Sequence, residues 1–189
     1  SALSADRRGA AVIDLLNKPI VRLIMIGILA LPVQTTLFAD VKFFGVAAQV
    51  MLCLSIAAGV TGGSESGAVA GFIFGLLFDL VLSSPLGMLS LLYGLAGFIA
   101  GYAHSRTMAS PRWLNALVVG GVSSVATLAQ PVLANWVGVE GWISTGLVKV
   151  VLIVGGLNAL FSVIAVPVVR WGLAIKRRER LALSGDVFL

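Results

Sequence analysis

The chain has 189 residues, of which 59% are hydrophobic and 11% charged, with a formal net charge of +5. Its mean hydropathy is +1.05 and its pI about 10.0. A soluble domain carries about 25% charged residues, so this composition excludes an ordinary soluble fold. The basic balance does not point to nucleic acid either, because the cations sit at the ends of apolar segments rather than in a patch.

Residues 1–19 form a leader. Arg7, Asp14, Asn17 and Lys18 fall on one side of a helix and Val12, Leu15 and Leu16 on another, the pattern of a short interfacial helix lying on the membrane. A disordered basic leader fits the same composition. Pro19 separates the leader from the first apolar run. That run lacks a small-residue cleavage site after it and further spans come after it, so it reads as a span and not as a signal peptide.

A helix needs about 20 residues to cross the hydrocarbon core. Six such segments are expected, at about 20–39, 45–62, 67–83, 86–105, 113–135 and 144–170, joined by short connections. The expected fold is therefore an all-α integral membrane protein, one six-helix transmembrane bundle over residues 20–171, followed by a basic cytoplasmic tail over 172–189. Pro32, Pro131 and Pro167 fall inside or near the ends of spans one, five and six and predict kinks there.

Orientation follows from Lys and Arg. Eleven of the 13 basic residues collect on one side: Arg7, Arg8, Lys18, Arg22, Arg106, Arg112, Arg170, Lys176, Arg177, Arg178 and Arg180. Only Lys42 and Lys149 fall toward the other. The positive side is cytoplasmic, which places both termini inside. The tryptophans agree: Trp113 and Trp171 fall at inner boundaries, and Trp136 and Trp142 flank an outer loop, all at headgroup depth. The KRRER tail attracts anionic membrane lipids or simply retains the positive side inside.

In lipid, helices associate through small residues that let backbones approach. Span three carries Gly67, Gly71 and Gly75 at intervals of four, with Asp79 next on the same ridge. Span four carries Gly94, Gly97 and Gly101, and span six has Gly155, Gly156 and Ala159. The tight turn Ser83, Ser84, Pro85, Leu86, Gly87 predicts an antiparallel hairpin of spans three and four.

Asp79 is the main candidate functional residue, since an acid facing lipid costs at least about 2.5 kcal/mol. Three roles fit: binding a substrate cation, pairing with a partner protein, or bonding the backbone of the SSPLG turn. Gln34, Gln49, Gln130 and Asn158 read as interhelical hydrogen-bonding groups or as the lining of a ligand pocket. Lys149 either snorkels outward or forms a buried pair with Asp79. Glu65 in GGSESG reads as a helix-start acid. His104 has no ligand-spaced neighbour, and the single Cys53 allows no intrachain disulfide, so no metal or cofactor is expected. No GxSxG, HExxH, Walker A or paired intramembrane acid occurs, so no catalytic residue is expected.

The stretch GAVAGFIFGLLFDLVLSSPLGMLSLLYGLAGFIAGY, residues 67–102, resembles the family of the rod-shape-determining membrane protein MreD. The resemblance is carried by Gly71, Gly75, Leu76 and Asp79, then Pro85, Leu86 and Gly87, over about a fifth of the chain. Length, helix number and topology also fit that family. The resemblance implies a non-enzymatic component of the bacterial cell-elongation machinery in the cytoplasmic membrane. Its partner would be an MreC-like single-pass protein, linked to MreB, the RodA glycosyltransferase and a class B penicillin-binding protein. Asp79, Pro85, Leu86 and Gly87 become candidates for a structural or partner-contact site. A rival reading is the substrate-binding subunit of an energy-coupling-factor vitamin transporter, also a six-helix protein. IVRLIMIGILALPVQTTLFA lacks an AxxxA pattern of the kind such subunits carry on their first span.

Overall fold

The computed structural model describes residues 19–37, 49–81, 87–105, 112–136, 138 and 147–185. The expected interfacial helix, Lys42, Arg106, Trp142, Pro85 and Leu86 lie outside the described residues. The described residues form six α-helices: α1 (Pro19–Pro32), continued by a π-helical turn (Val33–Leu37), α2 (Val50–Gly62), α3 (Ser64–Asp79), α4 (Met88–Ser105), α5 (Arg112–Trp136) and α6 (Leu147–Gly185). They contain no strand.

Three helical segments are long and apolar enough to cross a membrane: Pro19–Thr36, Trp113–Leu133 and Val148–Leu173. The burial pattern has the membrane sense. Large apolar side chains point outward on five helices, among them Leu29 of α1, Phe72 of α3, Leu91 of α4, Val125 of α5 and Leu160 of α6. Ser55, Asp79, Ser90, Ser123 and Asn158 are buried within. A water-soluble protein does not normally expose apolar patches on this scale.

The exception is α2, in which ten successive residues from Met51 to Val60 are buried. A helix that is apolar all round is stable only where every face meets apolar surroundings, and here those are other helices. α2 packs on α1, α3, α4, α5 and α6. At 13 residues it is about 20 Å long, shorter than a hydrocarbon core of about 30 Å.

Hydrogen bonds and close approaches fix the helix directions. Gly67, Gly71 and Gly75 of α3 meet Gly97, Tyr93 and Leu89 of α4 in reverse order, and α3–α4 is the most extensive pair. Gly120 and Ser124 of α5 meet Gly155 and Val151 of α6 in the same antiparallel sense. The breaks are local. Gly63, at φ +85°, separates α2 from α3 in a conformation that side-chain-bearing residues rarely adopt. Pro32 ends the α-helical part of α1, where its missing N–H gives way to the π turn, and Thr35 Oγ1 donates back to the Leu31 carbonyl at 3.0 Å. Pro131 and Pro167 lie within α5 and α6, which continue past them. The basic sequence after Arg170 continues α6 as helix to Gly185.

Candidate functional site: the Asp79 turn and the glycine seam

Asp79 is the last residue of α3 and is 1% exposed. One carboxylate oxygen, Oδ2, accepts from the backbone N–H of Gly87 at 3.0 Å and of Ser90 at 3.1 Å, and from the Ser90 hydroxyl at 2.9 Å. Oδ1 accepts from the Leu89 N–H at 3.3 Å. The first N–H groups of a helix have no partner inside it, and the helix dipole favours negative charge there. Asp79 therefore acts as an N-terminal cap for α4, delivered from the end of the preceding helix. Gly87, at φ +98°, turns its amide into this arrangement. Of the three roles open to Asp79, these bonds place it on the backbone of the turn.

Below the turn the two helices run in backbone contact. A Cβ on Gly75 would come within 2.5 Å of the Leu89 carbonyl oxygen. One on Gly71 would strike the Tyr93 carbonyl, and one on Gly67 the Gly97 carbonyl. Gly101 closes in the same way on Ser64. Gly94 differs: a Cβ there would stand 3.3 Å from the Ala68 carbonyl oxygen, a contact a small shift relieves. Gly59 of α2 completes the seam, because a Cβ there would strike the Gly97 carbonyl. Three helices thus converge on Gly59, Gly67 and Gly97. The spacing by four within α3 made its ridge legible in the sequence, whereas the glycines of α2, Gly59 and Gly62, are not spaced by four.

Polar bonds link the other helices. The Gln34 side-chain oxygen accepts from the Met51 N–H at 2.8 Å, capping the start of α2. Gln49 and Gln130 exchange two amide hydrogen bonds, each 3.3 Å. Asn158 Nδ2 donates to Ser123 Oγ at 3.0 Å, and the Cys53 thiol lies 3.5 Å from the Asn158 carbonyl. Tyr93 stacks on Phe78, ring centroids 6.4 Å apart. Its hydroxyl lies near Asp79 and Gln130 but meets no partner in hydrogen-bonding geometry among the described residues.

At the opposite end of the bundle, the Arg22 guanidinium lies 4.9 Å from the centroid of the Trp171 ring. A Cβ on Gly62 would come within 2.8 Å of Leu173 at this same end. Sequence reading placed Arg22 and Trp171 at one boundary but gave no sign that they touch, since 149 positions separate them. Glu65 sits in the first turn of α3, Lys149 is exposed, and His104 lies half-buried near the end of α4. No group of three or more His, Cys, Asp or Glu residues with metal-binding placement occurs among the described residues. No protein-family model, curated protein or solved structure matches the chain.

Proposed function

We propose that the chain is a non-enzymatic scaffold of the bacterial cell-elongation machinery, a six-pass protein of the cytoplasmic membrane with both termini inside. Its task is to hold the membrane helix of an MreC-like single-pass partner and so help position peptidoglycan synthesis by a RodA-type glycosyltransferase and its class B penicillin-binding partner, under MreB. The observation that carries the reading is the interlock of the motif residues. Gly71, Gly75, Asp79 and Gly87, which carry the resemblance to MreD, lie along one hairpin, and the acid is used to brace it. A rigid, backbone-packed hairpin is what a docking scaffold requires, because a preformed surface loses little entropy on binding.

The topology rests on the charge asymmetry and on the ends of the helices. Arg22, Gly62, Trp171 and Leu173 gather at one end. Gln34, Gln49, Gln130, Asp79 and Gly87 lie toward helix ends of the other sense. Alternating passes with the cation-rich end inside account for both groups.

A second reading draws on the buried polar groups. Gln34, Gln130 and the Tyr93 hydroxyl, which has no hydrogen-bond partner among the described residues, are the kind of groups that would orient a small polar ligand in a transporter's substrate-binding subunit. Gentle co-purification from native membranes with mass spectrometry separates the two. Recovery of a single-pass MreC-like protein with cell-wall synthases supports the scaffold. Recovery of ATPase subunits with a large coupling protein overturns it in favour of the transporter.

A further inference from the structure

We draw no further inference here: the strongest candidate, the outward face of α5 and α6 on which Gly121 and Gly156 stand in open space among the exposed side chains of Leu117, Val125, Leu152 and Leu160, carries nothing, because nothing in the structure shows what covers it.

Discussion

A carboxylate entering the interior of a bundle gives up its water, and Asp79 replaces that water with three amides and a hydroxyl. The amides gain as much as the acid does, because without it the first turn of α4 would bury unsatisfied donors. Asp79→Leu should therefore lower the folded fraction in detergent, costing about 3 kcal/mol or more. A thermal melt indistinguishable from wild type would show that the turn holds without it. Asp79→Asn keeps an acceptor oxygen and should fall between the two. Gln49 and Gln130 make a milder case. Removing one amide strands the other, so Gln130→Leu should cost about 1 kcal/mol, while the Gln49→Leu/Gln130→Leu double variant should recover part of it. A double-mutant cycle on melting temperature checks this, and strictly additive losses would count against the pair. The importance of Asp79 was legible because an acid in an apolar run is costly wherever it points. Its partners were less so: SSPLG offered the turn, but Ser90 lies inside the next helix and looked like any serine in a span.

At the scale of elements, close backbone approach predicts a contrast between glycines of one seam. Gly67→Ala and Gly71→Ala place a methyl against backbone carbonyls that cannot rotate away, and each should destabilise by about 1–3 kcal/mol. Gly94→Ala meets only a 3.3 Å contact and should be tolerated. Size-exclusion profiles and melts of the three variants test the contrast, and equal behaviour would mean the seam is looser than its geometry. The helix ends lie within about five residues of the expected segments, because the length of apolar runs and the Gly and Pro breaks at Gly63, Pro32 and Gly87 are written locally; the exception is α6, which continues past the expected end at 170 to Gly185. The central position of α2 was not. Lipid and protein interior are equally apolar, so hydropathy alone cannot tell a helix wrapped by neighbours from one facing acyl chains. Long-range pairs such as Arg22 with Trp171, or Gly59 with Gly97, were likewise invisible, since their partners lie on helices distant in sequence.

For the whole molecule, burial of Cys53 offers a direct reading of integrity. The thiol lies in α2, shielded on every side, so a thiol-reactive fluorophore should label the folded protein only on heating. Rapid labelling at room temperature would show that the bundle opens. The same assay reports the folded fraction of the Asp79, glutamine and glycine variants.

The shielding of α2 bears on how the protein meets bilayers of different thickness. A helix in contact with acyl chains must tilt or deform the membrane when lengths disagree, at a fraction of a kcal/mol per Å. α2 has no such contact, so its 13 residues are exempt from matching, and the requirement falls on the long outer segments such as Val148–Leu173. Thinner or thicker membranes should therefore reorient the periphery about a centre that keeps its own length. A partner helix seated on that periphery would register bilayer thickness, while α2 would not.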